Sequence, residues 1–70
     1  MHVTITIRYY SPAGTVMQSG TFPLRGRAPE SIAYEWLQQI KHQVHFDSLI
    51  SVRINEDNDI TDKVKALERS

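Results

Sequence analysis

His2-Val3-Thr4-Ile5-Thr6-Ile7-Arg8-Tyr9-Tyr10 alternates apolar and polar residues. A period of two puts Val3, Ile5 and Ile7 on one side of a pleated strand and Thr4, Thr6, Arg8 and Tyr10 on the other. The residues are β-branched or aromatic, which fits a half-buried sheet. No Pro or Gly interrupts the run, so a strand over residues 2–10 belongs at the centre of a sheet.

Ser11-Pro12-Ala13-Gly14 follows as a turn: proline presets φ at its second position and glycine accepts a positive φ after it. A second strand runs over residues 15–24, antiparallel to the first. Its Val16, Phe22 and Leu24 share a parity with Gln18 and Gly20, and Gly20 marks a weak point or a bulge. Pro23 has no N–H for a ladder, which sends this strand to an edge.

Arg25-Gly26-Arg27-Ala28 breaks the pattern, and Pro29 suits a first helical turn. Ala33, Leu37, Ile40 and Val44 recur at spacings of four, three and four, widened by Ile32 and Trp36, and predict an amphipathic helix over 29–43. Glu30 and His42 complement the two ends of its dipole. A third strand over 49–55 turns Ile50, Val52 and Ile54 inward and Leu49, Ser51 and Arg53 outward. Glu56-Asp57-Asn58-Asp59 reads as a polar turn. Thr61 then caps a short helix over 62–68, with Ile60 packing back as a staple.

These elements predict one α+β domain over 1–70, a two-layer ββαβα arrangement. Its antiparallel sheet has three strands in the order 2-1-3, with one main helix on one face and a short C-terminal helix. The expected core is Val3, Ile5, Ile7, Phe22, Leu24, Ala33, Leu37, Ile40, Val44, Ile50, Val52 and Ile54, with Trp36 at its border. Whether the last helix covers the other sheet face is left open by the pattern.

The hairpin–helix–strand order over residues 1–55 resembles the opening of a β-grasp, ubiquitin-like domain. Many members of that family act through a C-terminal Gly-Gly. Here residues 67–70 read Leu67-Glu68-Arg69-Ser70, so the resemblance implies no carrier function.

Seventy residues, 40% hydrophobic and 23% charged, describe an ordinary globular chain with a thin core. Eight basic and eight acidic residues cancel, which argues against bulk attraction to nucleic acid or anionic membrane. The distribution is uneven: residues 1–28 hold three arginines and no acid, whereas residues 29–70 hold five bases and eight acids. Such a bipolar split suits self-association. There is no cysteine, hence no disulfide and no thiolate metal site. Neither a membrane-length apolar run nor a signal-peptide pattern is present, and the expectation is a cytoplasmic protein.

No motif carries chemistry. His42 and His45 stand three apart with Asp47 the only nearby carboxylate. Asn55, Asp57 and Asp59 imitate the start of a calcium loop, but Ile60 and Ala66 occupy the positions that need glycine and glutamate. Phosphate loops, nucleophile elbows and Cys-His pairs are all missing. The expectation is a protein that is not an enzyme, with no cofactor and no metal.

What remains is a surface. Thr4, Thr6, Arg8 and Tyr10 from the first strand, Met17 from the second and Arg53 from the third should share the outward sheet face. Mixed polar and apolar character there, with open strand edges, points to a protein-interaction or regulatory module that self-associates. The partner is then another protein or a second copy. The alternative is weak binding of single-stranded nucleic acid on the same face, for which only Tyr10 offers a stacking ring.

Overall fold

The computed structural model describes residues 1–55 and 57–69. The elements are β1 (His2–Ser11), β2 (Gly14–Pro23), α1 (Pro29–Gln43), β3 (Ser48–Ile54), β4 (Asn58–Asp59) and α2 (Thr61–Arg69). The sheet order is β2-β1-β3-β4, and every neighbouring pair is antiparallel. The expected α+β layering and the 2-1-3 strand order hold. The difference is a short fourth strand: Asn58 and Asp59, expected in a turn, pair with Ile54 and Arg53. Glu56, also expected in that turn, lies outside the described residues.

β1 sits between β2 and β3, and the alternation along it determines the core. Val3, Ile5, Ile7 and Tyr9 are buried. Register carries that parity into both neighbours: Val3 faces Phe22, Ile7 faces Gln18 and Val52, and Tyr9 faces Val16. Tyr9, outside the expected core, is only 1% exposed. Its hydroxyl stays satisfied because the Gln18 side-chain amide donates to it at 2.9 Å. A buried phenol needs such a partner, and this accounts for a polar residue at a core position of β2.

Gly20 does not mark a bulge, since β1 and β2 pair without a register shift. It makes room. A Cβ there would lie 3.0 Å from the Phe22 ring and 3.4 Å from Trp36, whose rings meet at a centroid distance of 4.9 Å.

The bulge occurs in the other pairing, between Arg8 and Tyr9. Arg8 faces Ser51, but Tyr9 faces Leu49, so Ile50 is the extra residue. One inserted residue reverses facing for what precedes it in β3. Leu49, expected outward, therefore packs against the core, and Ile50, expected inward, is only partly buried and stands outside the core cluster. Val44 departs from expectation as well. It ends α1 in an extended conformation, with its N–H bonded to the Ile40 carbonyl at 3.0 Å, and its side chain is 41% exposed.

α1 spans the expected residues, with Pro29 in its first turn and Ile32, Ala33, Leu37 and Ile40 buried. α2 is too short to be stable alone. It docks through Ile60 and Val64, both in the core cluster, and through an ion pair of Glu68 with Lys41 of α1. Thr61 is not the cap. The Val52 N–H donates to the Thr61 hydroxyl at 2.9 Å, while Asp59 accepts the Thr61 N–H at 2.9 Å. The carboxylate thus takes the capping role, and the threonine joins α2 to β3.

Both helices therefore lie on the face of β1 that carries Val3, Ile5 and Ile7. Truncating Leu37, fully buried at the centre of α1, to Ala should cost about 2–5 kcal/mol. Val44→Ala should stay within about 0.5 kcal/mol. Urea midpoints of the two variants measure the contrast, and equal losses would contradict the placement of Val44 outside the core.

Candidate functional site: the uncovered sheet face and its free edge

Because α1 and α2 share one face, the opposite face is bare. Register lays its side chains out in rows. Thr21, Thr4 and then Asn55 follow one another across the sheet, next Ser19, Thr6 and Arg53, then Met17, Arg8 and Ser51. Two rows are tied by hydroxyl pairs, Thr4 with Thr21 at 3.3 Å and Thr6 with Ser19 at 2.9 Å. Thr6, Arg8, Met17, Ser19 and Arg53 line a shallow depression. Four of the six residues assigned to this surface from sequence thus come together there. Thr4 lies one row away, and Tyr10, 51% exposed, lies at the far end beside Thr15 and Ser48. Met17 is 64% exposed in the middle of a strand.

The end of β3 is closed by Asn55, which adopts a positive φ of 52°. Its N–H donates to the Thr4 carbonyl at 2.7 Å, and its side-chain oxygen accepts the Thr4 N–H at 3.0 Å. Asparagine tolerates this left-handed conformation better than most residues. Both backbone groups of Thr4 therefore point towards β3.

That orientation fixes the rest of the ladder. In an antiparallel sheet, successive residues aim their backbone groups to opposite sides. Thr4, Thr6 and Arg8 address β3; Val3, Ile5, Ile7 and Tyr9 address β2. Their partners Phe22, Gly20, Gln18 and Val16 address β1 in return. Thr15, Met17, Ser19 and Thr21 consequently point their N–H and C=O groups away from the sheet. Pro23 falls on the same outward parity, so its missing N–H costs no ladder bond.

The far edge of β3 is better covered. Val52 receives Ile60 N–H at 2.9 Å on its carbonyl and gives its own N–H to Thr61, while β4 pairs with Arg53 and Ile54. Native sheets blunt exposed edges with charges, bulges or covering segments. β2 has no charged residue between Gly14 and Pro23, no bulge against β1, and only Pro23 at one end.

The electrostatics of the bare face are simple. Arg8 and Arg53 are its cations, and Asp59 stands beside Arg53 across the β3–β4 pair. The Asp59 carboxyl is held below the usual aspartate range, chiefly by the Thr61 hydroxyl and N–H that donate to it, and less by Arg53. With that carboxylate engaged, the face presents hydroxyls, guanidiniums and a thioether. That chemistry recognises by hydrogen bonding and packing.

Two half-covered apolar clusters flank β2 on its other face. Phe22 and Trp36 border a hollow beside Arg25 and Arg27. Tyr9, Pro12, Ala13, Val16 and Val44 line another between the hairpin tip and the end of α1. His42 and His45 are both exposed at that helix end. Among the described residues, no three His, Asp or Glu side chains gather as a metal set would require. Phe46, which no sequence pattern singled out, stacks on Tyr9 at 5.1 Å beneath Lys41 and pins the α1–β3 connection.

No protein-family model, curated protein or solved structure matches the chain. No helix among the described residues is long and apolar enough to cross a membrane.

Asp59 also yields a pH prediction. Its folded-state pKa is lowered, so its contribution to stability is present above the unfolded aspartate pKa, about 3.9. It is lost as pH falls through the lower folded value. Asp59→Ala should therefore be less stable than the parent at neutral pH, with the gap closing below that window. Paired denaturant curves down the pH scale test this; a gap that persists unchanged in strong acid would rule out the carboxylate as its source.

Proposed function

We propose that the chain is a small, non-catalytic interaction module that associates with itself through its bare sheet side. The observation that carries this reading is the one-sided placement of α1 and α2. It leaves a full sheet face and the charge-free edge of β2 uncovered. A domain of this size has a thin core, and association adds burial that the single chain lacks.

The alternative, weak binding of single-stranded nucleic acid, has less support. A stacking platform needs several rings, and among the described residues Tyr10 alone of the aromatic side chains is more than half exposed. The opposed charges of Arg53 and Asp59 also weaken any cationic track.

Sedimentation velocity over about 1 µM to about 1 mM, the range for small transient interfaces, should show a concentration-dependent rise from monomer to dimer. A monomer at every concentration removes self-association. Salt-sensitive binding of single-stranded RNA or DNA, lost in an Arg8→Ala, Tyr10→Ala double variant, would favour the alternative.

A further inference from the structure

We infer that a second copy of this chain adds antiparallel to the β2 edge, in one register, about a two-fold axis passing beside Gln18. The inference rests on the self-association reading and gives it a geometry.

Two features of β2 select that register, and a third leaves the pairing unopposed. The first is the hydrogen-bonding pattern. Thr15, Met17, Ser19 and Thr21 offer outward backbone groups, and Gly14 and Pro23 bound the strand. An isologous antiparallel pairing must match outward residues with outward residues. Centring on Gln18 sets Thr15 opposite Thr21 of the second copy and Met17 opposite its Ser19. All four outward residues then find partners, and Pro23 falls beyond the paired stretch. Centring on Ser19 instead sets Thr15 against the proline, which has no N–H to give.

The second feature is shape. On the helix-bearing face, Val16 and Gly20 are equally far from Gln18. The two-fold axis therefore sets Val16 of each copy opposite Gly20 of the other. Gly20 has no side chain, and its space is roofed by Phe22 and Trp36. The Val16 side chain thus meets the two rings that overlie the glycine. The apolar hollow around Val16 and Val44 in one copy comes against the Phe22–Trp36 cluster of the other.

The third is charge. β2 carries none, and the nearest cation on the bare face is Arg8 on β1, opposite Met17. From β1 to the β1 of the second copy is three strand spacings, about 14 Å. That exceeds the Debye length of about 8 Å at physiological ionic strength. Like charges therefore do not oppose the pairing, and it should depend little on salt.

The chain has no cysteine, so cross-linking reports the register directly. Thr15→Cys and Thr21→Cys both lie on the exposed face. Each residue is six positions from its own counterpart across the axis, about 20 Å along the strand, but directly opposite the other. An equimolar mixture of the two variants should oxidise to a covalent heterodimer at least about tenfold faster than either alone, because only the mixed pair reaches disulfide distance. Ser19→Pro removes an outward N–H and leaves the β1–β2 backbone ladder in place, losing only the exposed hydroxyl pair with Thr6. It should stay folded by circular dichroism yet sediment as a monomer where the parent is a dimer.

A parent that dimerises while the mixture links no faster than the single variants, and while folded Ser19→Pro still dimerises, overturns the β2 pairing and leaves the interaction reading standing. A parent that is monomeric throughout overturns both. If Ser19→Pro does not fold, the cross-linking comparison decides alone.

Discussion

The alternation of β1 is the constraint on which the rest of the structure depends. One parity of its side chains, Val3 to Tyr9, supplies the sheet's share of the core. The same alternation sends backbone groups by turns to β3 and β2. Burial of Ile5 and Ile7 and the outward aim of Thr15, Met17, Ser19 and Thr21 are therefore linked consequences of one strand's phase. Slipping the register by one residue would put the isoleucines in water and exchange the free edge groups of β2 for the bonded ones.

That phase is readable because it is written in nine consecutive residues. The span of α1 is equally readable, since its apolar spacing and Pro29 agree. Events that one inserted residue or one side-chain oxygen decides are less visible. Leu49-Ile50-Ser51-Val52 contains no glycine to announce a bulge. Either Leu49 or Ile50 can satisfy an inward position, and the choice follows from Tyr9 needing a neighbour across the sheet. Likewise Asp59 and Thr61 are both competent caps. Thr61 is withdrawn from that role because its hydroxyl accepts the Val52 N–H and donates to Asp59.

The candidate surface was legible to the same degree. Thr4, Thr6, Arg8, Met17 and Arg53 follow from parity on strands whose order the turn and the proline suggest. The uncovered state of the face did not follow. It depends on α2 lying beside α1 on the same layer, which Val64 and the Lys41–Glu68 pair bring about. An isolated nine-residue amphipathic segment does not reveal which apolar layer it will join.

Gln18 and Gly20 look in sequence like lapses in the pattern of β2. In three dimensions each answers a neighbour: the amide satisfies the buried Tyr9 phenol, and the glycine yields space to Phe22 and Trp36. Because β2 has a neighbour on one side only, these accommodations extend to the border of the molecule. The border thus acquires a polar centre, with the ring-covered Gly20 on one side of it and the Val16 side chain on the other, at equal distances. Requirements of the chain's own packing have given this strand the symmetry on which the proposed two-fold contact rests, and no residue from Gly14 to Pro23 carries a charge.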